Sequence, residues 1–167
     1  DLSNTQVTQI QNSTFQDAAD LATVKLPAGV TQILDSAFRN TTMLKNLTQK
    51  EAVTTDGFTN ILTKAITRIN PYAFAGTGLE NISLENTSIT NTLGNSIFLQ
   101  ATSLSKLKLP SGLIEIPAGM VAGDTALTQL TIPNSVTTIN GGNGEYPGAF
   151  QGSGLTSIDL SNTVLAT

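Results

Sequence analysis

Residues 127–139 read LTQLTIPNSVTTI and carry two apolar patterns separated by a proline. In the first, Leu127 is followed by apolar residues three and five positions later, so that Leu130 and Ile132 share one face of a strand. Pro133 ends the strand, because proline lacks the backbone N–H that a further pair would need. In the second, apolar residues stand at positions 136 and 139. The segment predicts a short strand, a turn and a second buried stretch.

The same two patterns recur along the chain with a period of about 23 residues. Each copy also has a large apolar residue, usually Phe, five or six positions before its Leu. The six residues in this slot are Phe15, Phe38, Phe74, Phe98, Val121 and Phe150. A fixed period of about 20 to 50 residues is the sequence signature of a solenoid. We therefore predict one solenoid domain over residues 1–167, with about six coils.

Two intervals between successive slots are longer than the period, at 36 and 29 residues. They predict insertions near residues 49–64 and 141–146. Insertions in repeat arrays often carry function. The first contains Phe58, Ile61 and Leu62 at helical spacing. These residues are interpreted either as a functional element or as an apolar cluster that packs against the side of the solenoid.

A single coil of this repeat is too small to fold alone. It buries about five large apolar side chains worth roughly 1.5–3 kcal/mol each, against about 1.5 kcal/mol of ordering entropy for each of some 23 residues. Stacked coils share their apolar interiors and pair their strands into a parallel sheet. Residues 1–5 and 159–163 read DLSNT alike. We therefore expect the chain to be cut from a longer array.

These patterns resemble the BspA-type leucine-rich repeat, also called the Treponema pallidum type. That repeat runs roughly Leu-x-x-Ile-x-Leu-Pro, then Val-x-x-Ile, then Ala-Phe. Residues 127–139 are similar to its first two parts and residues 70–76, NPYAFAG, to its third. The family often has Cys three positions after the Phe, where this chain has Ala18, Thr41, Thr77, Ala101, Asp124 and Ser153.

The resemblance implies a right-handed leucine-rich-repeat superhelix with a parallel β-sheet on its concave side. Short strands and turns, or short helices, would form the convex side. It also implies an extracellular location, in secreted or cell-surface proteins that adhere to molecules of a host or a neighbouring cell. It implies neither catalytic residues nor cofactors.

Composition excludes several classes of function. The chain has no Cys and no His, which excludes disulfides, thiolate nucleophiles, imidazole bases and Cys/His zinc sites. Eight Lys and Arg stand against twelve Asp and Glu, a formal net charge of -4, whereas nucleic-acid binding needs a basic face. No run approaches the roughly 18 apolar residues of a membrane span. We expect no metal, nucleic-acid partner or membrane span in this segment.

Three short motifs have a chemical as well as a structural interpretation. Ser103 and Lys106 have the Ser-x-x-Lys spacing of a lysine-activated nucleophile, but the segment reads as a strand entry and not as the required helix. Residues 141–144, GGNG, resemble the start of a calcium-binding repeat, yet they occur once and Glu145 replaces the needed Asp. The nearest carboxylate pairs are Asp17 with Asp20 and Glu80 with Glu85. We interpret all of these as strand entries or solvated turns.

The outward positions of the strands are the candidate binding surface, because solenoids engage ligands on extended concave faces. They stand two and four positions after each Leu and are Thr23, Lys25, Asn46, Thr48, Asn81, Ser83, Lys106, Lys108, Gln129, Thr131, Ser157 and Asp159. The row is polar, with a local positive step at Lys106 and Lys108 and no aromatic anchor. The alternative is a solvated strand face without function.

Two hypotheses follow for the whole chain. The first is a non-catalytic binding or adhesion module that presents its solenoid face to a protein or glycan on a host or neighbouring cell. The second is a structural spacer within a large surface protein. An enzyme is a third class, which the missing catalytic residue types disfavour.

Overall fold

The computed structural model describes residues 1–49, 57–91, 93–161 and 163. In this part of the chain the regular elements are eleven short β-strands. They are β1 (Gln9–Ile10), β2 (Thr23–Leu26), β3 (Gln32–Ile33), β4 (Asn46–Gln49), β5 (Arg68–Ile69), β6 (Asn81–Ser83), β7 (Lys106–Lys108), β8 (Glu115–Ile116), β9 (Gln129–Thr131), β10 (Thr138–Ile139) and β11 (Ser157–Asp159). All pairs between them are parallel.

The strands form two rows along the solenoid. The concave row contains the pairs β2–β4, β6–β7 and β9–β11, and the second row contains β1–β3–β5 and β8–β10. Partners occupy the same slot of successive repeats, as in the pairing of Val24 with Leu47. The repeat solenoid is therefore confirmed. The second row comes from the Val-x-x-Ile pattern and provides the short strands expected away from the concave side.

A third line of contacts, the turn row, connects the coils where the Phe slots lie. The N–H groups of Ser36, Phe38 and Asn40 donate to carbonyl oxygens of the next coil over 2.8–3.0 Å. Ser36 and Asn40 have positive φ, at 56° and 58°, a conformation open mainly to Gly and to short polar residues. With this conformation at Ser36 and Asn40, every second N–H of residues 36–40 points toward the neighbouring coil. The coils are thus hydrogen bonded along a third side without a strand.

The Phe slots point inward and stack along the solenoid axis. Ring centroids are 5.1 Å apart for Phe15 and Phe38, 5.5 Å for Phe38 and Phe74, and 5.6 Å for Phe74 and Phe98. Val121 continues the slot at 0% exposure but ends the aromatic stack. Stacked rings at this separation add to the stabilisation from burial. The predicted interior is therefore confirmed.

The slot three positions after the Phe is also interior, although it holds polar groups. The Thr41 hydroxyl donates to the Phe38 carbonyl over 2.7 Å. Asp124 is 0% exposed, and its Oδ1 accepts the Ala101 N–H over 2.8 Å. Its Oδ2 has no hydrogen-bond partner among the described residues. Burial raises the pKa of Asp124 to about 8, although the bond from Ala101 acts in the opposite direction.

The first insertion packs against the solenoid in an extended conformation. Residues 50–56 lie outside the described residues, and residues 57–64 contain no helix. Ile61 forms a parallel bridge to Ser83, so this segment takes the place of a strand between β4 and β6. Phe58, Ile61 and Leu62 are at most 7% exposed. The helical spacing of these residues therefore corresponds to no helix.

Asn60 joins the insertion to both neighbouring strands. Its side chain is 0% exposed. Its Oδ1 accepts the Leu47 N–H over 2.6 Å, and its Nδ2 donates to the carbonyls of Lys45 and Asn81 over 3.1 and 2.8 Å. The side-chain amide thus satisfies three backbone groups, one in β4, one just before it and one in β6.

Gln49 is the last residue of β4 and stands in a slot that is apolar in other coils. It is 2% exposed. Its Nε2 donates to the Val30 carbonyl over 3.0 Å, and its Oε1 accepts the Thr63 N–H over 3.0 Å. A buried amide with partners on both sides costs little. Gln49 therefore ties the far end of the insertion to the coil.

The second insertion forms a hydrogen-bonded turn. The Asn143 Oδ1 accepts the N–H groups of Glu145 and Tyr146 over 2.8 and 2.9 Å. The Asn143 N–H donates to the Tyr146 carbonyl over 2.9 Å. This turn directs Tyr146 back along the solenoid toward Tyr72, and the ring centroids are 6.2 Å apart.

Candidate functional site

The concave row carries all twelve candidate residues, and most of them face outward. Eight are exposed: Thr23, Lys25, Asn46, Lys106, Gln129, Thr131, Ser157 and Asp159. Three are half-buried: Thr48, Asn81 and Lys108. The remaining one, Ser83, is buried at 3% exposure. Strand alternation accounts for the exposed residues.

Ser83 is a correction to the predicted surface. Its N–H donates to the Asn60 carbonyl over 2.8 Å, and its carbonyl accepts the Leu62 N–H over 3.1 Å. The first insertion lies directly beside it and covers it. Asn81 is also engaged, because its Oδ1 accepts from the N–H and the hydroxyl of Thr59 over 2.8 and 3.1 Å. Ser83 is therefore not part of the exposed row, and the side-chain oxygen of Asn81 is already occupied by the insertion.

The insertion therefore divides the candidate surface into two patches. The N-terminal patch lies on β2 and β4. The C-terminal patch lies on β7, β9 and β11 and consists of Lys106, Lys108, Gln129, Thr131, Ser157 and Asp159. Its strands adjoin in sequence order, because β7 contacts β9 and β9 pairs with β11. The C-terminal patch is thus a surface three strands wide.

Ion pairs within the solenoid reduce the positive charge of the row. Lys25 lies 3.7 Å from Asp1, and Lys108 lies 3.2 Å from Glu85. The Lys108 Nζ also lies 5.5 Å from the ring centroid of Phe58. Lys106 has no ion pair within the described ranges. The local positive charge expected at Lys106 and Lys108 therefore comes from Lys106, because Glu85 neutralises Lys108.

A groove of about 430 Å³ borders the C-terminal patch. Its polar lining includes Glu85, Lys108, Thr131, Asn134 and Ser135, and apolar atoms come from the strand ends and Pro133. The groove lies where β7 and β9 end at their proline turns. Its volume falls within the range of about 300–1,000 Å³ typical of small-molecule sites. Most of its lining follows the strands, so the alternation of the strand residues does not reveal this groove, and the proline residues that end the strands are the sequence signal for it.

The structure brings none of the chemical motifs together as a catalytic site. Ser103 lies in a turn before β7, without the helix that a Ser-x-x-Lys nucleophile needs. Asp17 accepts a bond of 2.8 Å from Asn40 Nδ2, and this bond is the main cause that lowers the pKa of Asp17. Residues 141–144 belong to the hydrogen-bonded turn of the second insertion.

The described part of the chain lacks both clustered acidic side chains and long apolar helices. Within 1–49, 57–91, 93–161 and 163, no three acidic side chains gather where they could hold a metal ion. The same ranges contain no helix that is long and apolar enough to cross a bilayer.

Solved structures share this fold at low sequence identity. A leucine-rich repeat protein of T. pallidum has 22% identity and a TM-score of 0.70, over 91% of this chain and 62% of that one. The pneumococcal vaccine antigen PcpA has 21% identity and a TM-score of 0.63, over 92% and 36%. A leucine rich cell surface protein of Faecalibacterium prausnitzii has 21% identity and a TM-score of 0.50, over 96% and 50%.

This chain thus spans less than two thirds of the length of each of these proteins. A search of curated proteins found no match. The family described as "BspA type Leucine rich repeat region" matches residues 1–61 and 54–166 with six copies. The spacing of the slots, the two rows of parallel strands and this match agree, and the chain belongs to the BspA-type leucine-rich repeat family.

Proposed function

We propose that this chain is a non-catalytic binding module of an extracellular, cell-surface protein. In this proposal the C-terminal patch engages a protein or glycan on a host or neighbouring cell. One observation carries it: the side chains of Gln129, Thr131 and Ser157 lie exposed on paired strands and make no hydrogen bond to any described residue. Polar groups on a rigid sheet are thereby available to a partner.

The surroundings of the patch support this assignment. Lys106, which has no ion pair among the described residues, adds a cation on the adjacent strand, and the groove of about 430 Å³ adds a recess beside Thr131. A rigid surface loses little conformational entropy on binding, which favours affinity. In contrast, the insertion covers the middle of the row and leaves the N-terminal patch only two strands wide.

Membership of the family and the structural relatives support a surface location. BspA-type leucine-rich repeat proteins are surface-associated repeat proteins. Of the similar structures, one is a vaccine antigen and another is described as a cell surface protein. A non-catalytic role is supported by the absence of Cys and His from the whole sequence.

The test is a binding screen with a matched pair of substitutions. The purified chain is applied to immobilised host matrix proteins and a glycan array, beside Thr131→Arg and Thr102→Arg. Thr131 lies at the centre of the patch, whereas Thr102 is exposed on a turn outside the concave row. We expect Thr131→Arg to weaken binding about tenfold or more, about 1.4 kcal/mol, while Thr102→Arg binds as the unmodified chain does.

The contribution of charge is tested separately with Lys106→Glu. This substitution should weaken the binding of an anionic partner and leave the binding of a neutral partner unchanged. If binding persists in Thr131→Arg, the partner does not use the C-terminal patch. If no ligand binds at all, the structural spacer becomes the better account of this chain.

A further inference from the structure

A cluster of aromatic and polar side chains lies outside the concave row. The only two tyrosines of the chain, Tyr72 and Tyr146, meet there with ring planes inclined by 35°. Both side chains are half-buried. The Arg39 guanidinium lies 5.4 Å from the Tyr72 ring centroid. The C-terminal patch has no aromatic residue, so this cluster supplies a type of contact that the patch lacks.

Tyr72 is an exception among the residues in its slot. It has a φ of 57° in the turn row. The equivalent residues of other coils are small: Ser13, Ser36, Ser96 and Gly119. Bulky side chains rarely adopt positive φ, and such residues cluster at functional sites. The backbone conformation at this position favours a small residue. We therefore attribute the presence of Tyr72 to a role of its side chain.

The second insertion is seated so that Tyr146 has a fixed position. Gly119 has a φ of 65°, and a Cβ there would lie 2.5 Å from the Ser96 hydroxyl of the neighbouring coil and 3.1 Å from the Cγ of Pro147. The absence of a side chain at 119 lets the loop lie close to the coil. The Asn143 side chain fixes the turn from the other end. The tyrosine pair is thus held by local contacts, as a binding platform requires.

A groove of about 400 Å³ adjoins the tyrosine pair at Asn95. The Asn95 carbonyl accepts the Tyr72 N–H over 3.1 Å, and its side chain lies near the Tyr146 hydroxyl. The polar residues of the groove are Arg68, Asn70, Asn95, Glu115 and Asn140. These residues lie along the ends of the second row, so the groove follows the solenoid axis.

Neighbouring groups hold the amides of the groove in place. The Asn70 Nδ2 donates to the Asp35 carboxylate. The Asn140 Oδ1 accepts the Gly142 N–H over 2.9 Å, and its Nδ2 lies 3.4 Å from the Glu115 carboxylate. Each amide has two donors and two acceptor lone pairs, so each retains capacity for a ligand. The groove is therefore both preorganised and able to bind hydroxyl groups.

We propose that the tyrosine pair and this groove form a binding site for a neutral carbohydrate. Amides donate to and accept from neighbouring hydroxyls, a carboxylate accepts from them, and an aromatic ring with a polar tip covers the C–H face of a sugar ring. Two cations, Arg39 and Arg68, stand against the carboxylates of Asp35, Glu115 and Glu145, which disfavours an anionic ligand. The volume suits a mono- or disaccharide unit. The site lies off the concave row and does not depend on the function proposed above.

The chain offers a direct assay for this site. It has no Trp, so its intrinsic tyrosine fluorescence comes from Tyr72 and Tyr146 alone. Lactose, mannotriose and chitotriose are titrated into the purified chain, with sialyllactose and sulfated lactose as charged counterparts. We expect a saturable change in emission with at least one neutral sugar, at micromolar to millimolar concentration, and weaker binding of its charged counterparts.

Substitutions locate the binding. Asn95→Ala and Tyr146→Ala should weaken it about tenfold or more, while Tyr146→Phe retains the ring and most of the affinity. Asn134→Ala and Thr131→Arg, which lie at the other groove, should leave it unchanged. Circular dichroism confirms that each variant is folded, and Asn95→Ala tests the site even if Tyr146→Ala loosens the loop.

Three results would overturn the inference. They are no saturable response to any neutral sugar, binding restricted to the charged sugars, and binding that survives both Asn95→Ala and Tyr146→Ala but is lost in Thr131→Arg. The last would assign sugar binding to the C-terminal patch, so the two proposals remain distinguishable.

Discussion

Raising the pH from 4 to 8 should destabilise the folded chain through Asp124. This carboxyl group is 0% exposed, and only one of its oxygens has a hydrogen-bond partner within the described ranges. Its pKa is about 8 when folded, against 3.8 for an unperturbed Asp. Below pH 3.8 the group is protonated in both states. Between the two values the unfolded chain releases a proton that the folded chain keeps, so stability falls as pH rises.

The size of the effect follows from the difference between the two pKa values. Each pH unit in the window costs about 1.4 kcal/mol, and the roughly four units give a ceiling of about 6 kcal/mol. Water that reaches the carboxylate as the coil relaxes lowers the cost, so we expect a loss of about 2 to 6 kcal/mol. A domain of this kind is stable by only about 5–15 kcal/mol. The change should therefore be plain in an unfolding experiment.

Other groups with shifted pKa values act outside this window. Hydrogen bonds lower the pKa of Asp17 and of Asp159, so their contributions are lost only as pH falls below about 4. The Glu145 carboxylate raises the pKa of Tyr146 from 10, which places its titration at higher pH. A change between pH 4 and 8 therefore reports on Asp124.

The assay is urea unfolding at pH 4, 6 and 8, compared among the unmodified chain, Asp124→Asn and Asp20→Asn. The amide in Asp124→Asn keeps an oxygen for the Ala101 N–H but cannot ionise, so the stability of this variant should be nearly independent of pH. Asp20 is exposed and serves as the control. Parallel curves for the unmodified chain and Asp124→Asn would refute the assignment of the pH dependence to this carboxyl group.

Two further substitutions test the packing and the insertion. Phe74→Ala should lower the free energy of unfolding by about 3–5 kcal/mol, because the ring is 0% exposed and stacked on both sides, and the half-buried Phe15→Ala should cost less. An unchanged urea midpoint would contradict the interior position of Phe74. Asn60→Ala should cost about 3 kcal/mol by leaving three backbone groups unpaired, at Lys45, Leu47 and Asn81. The substitution Asn86→Ala, at an exposed residue, should be nearly neutral. Equal stability of these two variants would show that water replaces the amide.

Repetition made the regular part of this fold predictable. Residues in equal slots must stack because each coil buries its apolar side chains only against its neighbours, and the pairing of Ile82 with Leu107 follows from their slots alone. The turn row was harder to predict from the sequence. The positive φ of Ser36 and Asn40 appears in the sequence only as a preference for short polar residues, which ordinary turns share.

The insertions limited what could be predicted of the candidate sites. An inserted segment is free of the period, so nothing in the sequence shows that residues 57–62 run beside β6 and cover Ser83. The meeting of Tyr72 with Tyr146 depends in the same way on the course of the second insertion. Alternation correctly identified Gln129 and Thr131 as exposed, because it is a local property of their strand.

The turn row has a mechanical consequence when the chain is pulled along its axis. Its hydrogen bonds, like those of the two strand rows, run between coils, so tension is borne by one layer of bonds at a time. The outermost coil detaches first, and each coil without an insertion releases about 23 residues, or roughly 80 Å of extended chain, in place of a rise of about 4.8 Å. The two coils with insertions release more. Such an array lengthens in steps of one coil, which a single-molecule force trace would record, and behaves as an extensible tether.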